Sequence, residues 1–128
     1  MIARISLAAG MLLLFVGVAR ADAPKLEGLY KCVGGNDGGG KYEGRVEIAK
    51  KDEVYTMKWT VGEESYVGVA ILSDDTLSVA WASRAGGGVV VGVVTYKVEM
   101  GGRLTGIWTQ LGGDNKIHEE TLTKIPDA

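Results

Sequence analysis

The chain is poor in the residues that build cross-links and metal sites. Its 128 residues include one cysteine, two prolines and one histidine. With Cys32 alone, no disulfide can form within the chain, so its stability must come from a core and from backbone pairing. A zinc site commonly needs about four ligands, several of them His or Cys, and Cys32 with His118 does not supply them. We therefore predict no metal site and no cofactor.

The chain also has little positive charge and few catalytic signatures. Its 14 basic residues are outnumbered by 16 acidic ones, so it lacks the basic surplus that holds a phosphate backbone, and we expect no nucleic-acid partner. The glycine-rich stretches 34–40 and 86–88 lack the Lys-Ser/Thr of a phosphate-binding loop. No Gly-x-Ser-x-Gly motif is present, and nothing marks a third group that would orient Cys32 and His118 as a catalytic pair. The sequence therefore predicts a protein that is not an enzyme.

The one long apolar run is at the N-terminus. Arg4 precedes an apolar stretch over residues 5–18, and Ala19-Arg20-Ala21 follows it. A charged start, an apolar middle and small residues at the end are typical of a secretory signal peptide. A run of about 14 residues is short of the roughly 20 that span a bilayer. We predict a signal peptide over 1–21, with cleavage after Ala21 or Ala23.

The remainder, 22–128, has the length of a single domain. It contains no second apolar run that could cross a membrane, so we expect no membrane span after cleavage. Cleavage after Ala21 removes two basic residues and no acidic one, so the exported chain is more acidic than the precursor. The predicted destination is the periplasm or the exterior of the cell. The composition does not indicate an oligomeric state.

Short segments rich in Val, Tyr, Trp, Thr and Ile alternate with Gly, Asp and Asn at a spacing of roughly 8–12 residues. This rhythm predicts an all-β domain. Eight strands are expected, over 26–33, 41–49, 54–61, 65–72, 76–82, 89–100, 103–110 and 116–124.

Most of these segments have one apolar and one polar face, as in an antiparallel sheet with one solvated side. The fourth is ambiguous, because placing Val67, Val69 and Ile71 inward turns Tyr66 and Leu72 outward. Short links make consecutive strands neighbours, and closure removes exposed sheet edges. We therefore predict an eight-stranded antiparallel up-and-down barrel, closed between the first and eighth strands, with a two-sheet β-sandwich as the alternative.

Two short motifs carry a resemblance to known families. Gly28-Leu29-Tyr30 and the stretch Leu104-Thr105-Gly106-Ile107-Trp108-Thr109 resemble the lipocalin and avidin group of barrels. The Leu-Thr-Gly-x-Trp-Thr pattern is similar to the first strand of avidins, although here it belongs to the seventh. The chain also resembles small exported bacterial proteins, some of which are labelled fibronectin-binding. The resemblance implies the architecture and transfers no ligand residues.

Aromatic residues are the remaining candidates for a site. Tryptophan occurs late in the third, fifth and seventh predicted strands, so the three indoles should lie toward one end of the barrel. An eight-stranded barrel is just wide enough to fill itself or to hold one small ligand. We predict a binding protein for a small apolar or amphipathic molecule, and the alternative is an extracellular protein-interaction module with a packed core and glycine-rich recognition loops. The predicted ligand-binding residues are Tyr55, Trp59, Trp81, Tyr96 and Trp108.

Overall fold

A computed structural model of the chain describes residues 25–85 and 87–127. The predicted signal peptide, 1–21, lies outside these residues. Eight strands account for most of the described chain: β1 (Gly28–Gly35), β2 (Lys41–Lys51), β3 (Val54–Val61), β4 (Glu64–Ser73), β5 (Thr76–Ala85), β6 (Gly88–Glu99), β7 (Arg103–Gln110) and β8 (His118–Lys124). The described residues contain no helix of the length and apolarity needed to span a membrane.

The strands form one closed antiparallel barrel in sequence order. Each strand pairs with the next, and β1 pairs with β8 through the register Tyr30↔Lys124 to Gly34↔Glu120. The predicted barrel is confirmed, and the alternative sandwich is wrong. The predicted strand ends are off by a few residues. The largest differences are in β1, which begins and ends two residues later than expected, and in β5, which runs three residues further.

The structure settles the orientation of the fourth strand, which the sequence pattern left ambiguous. Val67, Val69 and Ile71 point outward and are more than half exposed, at 55%, 51% and 62%. The inward positions of β4 are Tyr66, Gly68, Ala70 and Leu72. Cross-strand pairing dictates this choice, since directly paired residues share a face of the sheet. Tyr66 pairs with the inward Trp59, and Gly68 pairs with the inward Trp81.

The two ends of the barrel differ. At the end where β1 begins and β8 ends, Leu26 lies buried just before β1 and Tyr30 donates a 2.7 Å hydrogen bond to its carbonyl. Aliphatic side chains such as Leu77 and Leu104 fill the interior there. The opposite end carries the loops after β1, β3, β5 and β7, and its interior is lined by aromatic rings. We call it the open end.

Candidate ligand site at the open end of the barrel

Aromatic side chains fill the open half of the interior because glycines face them. An added Cβ at Gly92 would collide with the indole of Trp81, and one at Gly68 would lie 2.9 Å from the indole of Trp59. Each indole thus occupies the space that a side chain at the facing glycine would need. The inward glycines of β4 and β6 create the space that the tryptophans of β3 and β5 occupy.

A cavity of about 100 Å³ opens among these rings. The three tryptophans surround it, and Trp81 meets Trp108 edge to face with ring centroids 6.1 Å apart. Tyr66 packs on the other side of Trp81 at 5.6 Å. The predicted clustering of the indoles at one end is confirmed. The cavity is lined by Asn36, Tyr42, Trp59, Val61, Glu64, Tyr66, Trp81, Val94, Trp108, Gln110 and Glu120.

The most unusual residue of this lining is Glu120, a buried carboxylate that is only 6% exposed. Tyr42 donates a 2.5 Å hydrogen bond to Oε1, and Trp59 Nε1 donates one of 3.2 Å to Oε2. The hydroxyl of Tyr96 also donates to Oε2. These donors come from β2, β3 and β6, so one side chain of β8 joins four strands across the interior. Three donors, rather than a cation, compensate for the burial of this carboxylate.

The same buried environment keeps two tyrosine hydroxyls and one cysteine thiol around Glu120 protonated. Burial raises the pKa of Tyr42 and Tyr96 well above the usual tyrosine value, and the nearby charge of Glu120 raises it further. Both hydroxyls therefore stay donors at physiological pH. Burial, with a contribution from Glu120, likewise raises the pKa of the Cys32 thiol. Cys32 is fully buried and is part of the apolar core.

A second carboxylate lies on the same cavity. The hydroxyl of Tyr66 donates a 2.7 Å hydrogen bond to Glu64 at the start of β4. Burial first, and then this bond, raises the pKa of Tyr66 to about 12. Glu64 itself is exposed, so it marks the rim rather than the floor.

Trp108 contributes a donor that has no acceptor. Its Nε1 is the single buried side-chain nitrogen or oxygen atom, in the part of the chain that the structure describes, without a hydrogen-bond partner. An unpaired buried N–H costs about 1–3 kcal/mol, so such atoms call for an explanation. The indole is fixed between Tyr42, with ring centroids 6.4 Å apart, and the imidazole of His118 at 4.8 Å.

Two loops at the open end are joined beside Trp108. His118 Nε2 lies 2.9 Å from Asp114 Oδ1 and 3.4 Å from Asp37 Oδ1. Asp114 also accepts hydrogen bonds from the backbone N–H groups of Lys116 and Gly38, at 3.0 Å and 3.2 Å. His118 is the first residue of β8, and its side chain is only 11% exposed, so the imidazole lies between the two loops rather than in solvent.

These three side chains, Asp37, Asp114 and His118, place their possible ligand atoms within 4.8 Å of one another. Both carboxylate oxygens of Asp114 already accept backbone hydrogen bonds, and Asp37 Oδ1 accepts one of 3.0 Å from the backbone N–H of Asp114. The cluster therefore ties the loop after β1 to the loop after β7.

The structure separates the five predicted site residues. Trp59, Trp81 and Trp108 line the cavity, and Tyr96 lies beneath it against Glu120. Tyr55 lies at the other end of the barrel, where the Lys50 ammonium is 5.9 Å from its ring centroid. Sequence reasoning did not select Tyr42, Tyr66 or Glu120. Whether any of these residues binds a ligand stays a prediction.

No family model matches the chain, and no curated protein matches it either. Solved structures share its fold. A redesigned β-barrel, mFAP1, bound to DFHBI matches with a TM-score of 0.64 and 18% identity, over 77% of this chain and 94% of that one. A redesigned β-barrel named b11L5F_LGL matches with a TM-score of 0.67 and 16% identity, over 79% and 92% of the two chains. A fatty acid transporter, REP1-NXSQ, matches with a TM-score of 0.51 and 8% identity, over 80% and 98%. At these identities the likeness shows the barrel fold.

Proposed function

We propose that the chain is an exported, non-catalytic binding protein that holds a small molecule in the aromatic cavity at the open end. The observation that carries this proposal is the cavity itself, where three tryptophans surround about 100 Å³ above a buried, hydrogen-bonded Glu120. The barrels that share the fold include one bound to DFHBI and one named as a fatty acid transporter, which supports small-molecule binding. Export rests on the predicted signal peptide.

The size of the cavity limits the ligand. Ligand pockets of proteins usually have about 300–1,000 Å³, and an apolar cavity of about 150 Å³ accommodates benzene. A cavity of about 100 Å³ is smaller than the one that holds benzene, so it takes a short branched chain or part of one ring, and the remainder of a larger ligand stays outside the mouth. The unpaired Nε1 of Trp108 favours a ligand that brings a hydrogen-bond acceptor with its apolar group.

Charge limits the ligand further. The described residues that line the cavity include two acids, Glu64 and Glu120, and neither lysine nor arginine. An anionic group placed there would meet like charge at short range in a poorly screened site. Aromatic faces attract cations. We infer that the cavity selects neutral or cationic ligands over carboxylates, and that a fatty acid would bind poorly with its headgroup inward.

Three probes that share one ring test this inference. Benzyl alcohol, benzylamine and benzoate would be titrated into the mature protein while tryptophan emission is recorded. We expect the first two to shift or quench the emission with saturation, and benzoate to bind at least tenfold more weakly. Saturable binding of benzoate as tight as that of benzylamine would contradict the charge argument, and the absence of saturable binding by all three would contradict the proposed function.

A cavity-filling variant tests whether the ligand binds in this cavity. Val61 lines the cavity at the last position of β3, and Val54 is half-buried at the first position of the same strand. We expect Val61→Phe to weaken binding of benzyl alcohol at least fivefold and the matched control Val54→Phe to leave it unchanged. Equal binding by both variants would place the ligand elsewhere.

A further inference from the structure

The outer surface of β4, β5 and β6 is apolar, unlike the rest of the barrel. Five outward side chains of β4 and β6 are between 40% and 62% exposed: Val67, Val69, Ile71, Val91 and Val93. Between them β5 presents the small Ser78, Ala80 and Ala82, and the exposed Arg84 follows toward the open end. On the opposite side, the outward positions of β1, β2 and β3 carry charges: Lys31, Glu43, Arg45, Glu47 and Lys58. We call the first surface the apolar face.

The apolar face contains both a depression and a projection. The depression is a shallow, largely open groove, with Gly68, Ala80 and Gly92 among its smallest lining residues and with Gln110 and Lys116 also in its lining. The projection is the loop after β7, where Leu111 and Ile117 line the groove and are themselves 79% and 71% exposed. The backbone N–H of Leu111 donates a 2.9 Å hydrogen bond to the carbonyl of Val91, which fixes the start of this loop against β6.

We propose that the apolar face binds a second copy of this chain and that the protein is a two-fold dimer. A projection beside a depression on one surface is self-complementary, because a two-fold axis puts the projection of each copy into the depression of the other. With Leu111 and Ile117 the face exposes on the order of 800 Å² of mostly apolar surface, which is what each partner contributes to a standard interface. Monomers rarely expose so much in one patch.

The barrel geometry argues against a partner that would add a strand. Strand addition needs a free sheet edge, and β1 pairs with β8, so the closed barrel offers none. A partner must therefore use side chains on the face. Since the central side chains of the face are uncharged, a partner with a charged surface would lose hydration without forming ion pairs. An equally uncharged surface of matching shape is the favoured occupant, and the chain itself supplies one.

Sedimentation velocity of the mature protein tests the dimer. At tens of micromolar protein we expect the mass of a dimer for the native sequence. Two variants should give monomers: Leu111→Asp, which charges the projection, and Ala80→Trp, which fills the depression but stays apolar. The matched control Met100→Asp makes the same charge change on a turn at the other end, where Met100 is 94% exposed, and it should stay dimeric.

The possible outcomes distinguish a second copy of the chain from other partners of the apolar face. A native protein that stays monomeric to about 100 μM, well above the dissociation constants of specific dimers, would overturn the proposal. A dimer that persists in both variants would place the interface elsewhere and also overturn it. Association retained in Ala80→Trp but lost in Leu111→Asp would indicate non-specific adhesion, and a monomer that floats with phosphatidylcholine vesicles would indicate a lipid surface. Far-UV circular dichroism of each variant confirms that it is folded. The monomeric variants would also be titrated with benzyl alcohol. Retained binding by a monomer would show that the interior cavity functions independently of the dimer.

Discussion

Replacing Glu120 with glutamine tests whether the buried carboxylate stabilises the barrel. The carboxylate accepts hydrogen bonds from Tyr42, Tyr96 and Trp59, and each hydrogen bond to a charged group contributes about 1.5–3 kcal/mol. Glutamine keeps the shape but has one acceptor oxygen and no charge. The glutamine side chain can keep some of these hydrogen bonds through its single oxygen, but its NH₂ group cannot accept one, so at least one of the three donors loses its acceptor. We expect Glu120→Gln to lower the free energy of unfolding by about 2–4 kcal/mol.

Urea denaturation followed by far-UV circular dichroism measures this loss. Tryptophan emission is less suitable, because Trp59 donates directly to Glu120 and its emission would change for local reasons. With an m-value of about 1–3 kcal/mol per molar urea, the midpoint should fall by roughly 1–2 M. The matched control is Glu119→Gln, an exposed neighbour on the same strand, which should change stability by less than about 0.5 kcal/mol.

A double-mutant cycle with Tyr96→Phe assigns the effect to the network. If the hydroxyl of Tyr96 acts through Glu120, the two substitutions should be non-additive by at least about 1 kcal/mol. A buried charge without a cation can cost more than its hydrogen bonds return. If that desolvation dominates, Glu120→Gln would be as stable as the native protein or more stable, and our reasoning about Glu120 would fail. Equal losses in Glu119→Gln and Glu120→Gln would instead indicate an effect of net charge.

Three further predictions follow from the packing and the titrating groups. Gly92→Ala should cost about 1–3 kcal/mol in thermal unfolding because the new methyl group meets the Trp81 indole, whereas Gly35→Ala, in open space on β1, should cost less than about 0.5 kcal/mol. Partial desolvation raises the pKa of Asp114, but its hydrogen bonds outweigh this and hold it well below the usual value. Its stabilisation is therefore complete above about pH 4 and lost as the pH falls further, so Asp114→Asn should flatten the acid limb of a stability–pH curve. Cys32 should react with a thiol reagent only in urea, and rapid labelling of the native protein would contradict its burial.

Most of the fold could be predicted because the alternation of apolar and polar residues has a physical cause. In β3, Tyr55, Met57 and Trp59 are inward and buried while Lys58 is outward and exposed, as the pattern predicts. The orientation of the fourth strand stayed ambiguous because both of its faces are apolar. Its outward side chains, Val67 and Val69 among them, are larger than the inward Gly68 and Ala70, so hydrophobicity pointed to the wrong face.

The site could be predicted only in part. The clustering of the tryptophans followed from their place late in alternate strands. Glu120 was not selected from the sequence, because its donors lie 24 to 78 residues away along the chain. One local signal was available. His118, Glu120 and Leu122 alternate on one face of β8, and an acid between two inward positions of a barrel strand indicates a buried carboxylate.

The distribution of hydrogen bonds at the open end determines which groups can recognise a ligand. Tyr42, Tyr96 and Trp59 already donate to Glu120, so a ligand that competed for them would leave a buried carboxylate with fewer donors and lower the stability of the barrel. Trp108 is different, since its buried Nε1 makes no hydrogen bond of normal geometry, although the indole interacts with the Tyr42 hydroxyl and opposes the rise in the pKa of that group. A bond from this atom to a ligand therefore breaks no well-formed hydrogen bond. Recognition should therefore depend on Trp108, while Glu120 sets the charge of the cavity and holds its walls in place.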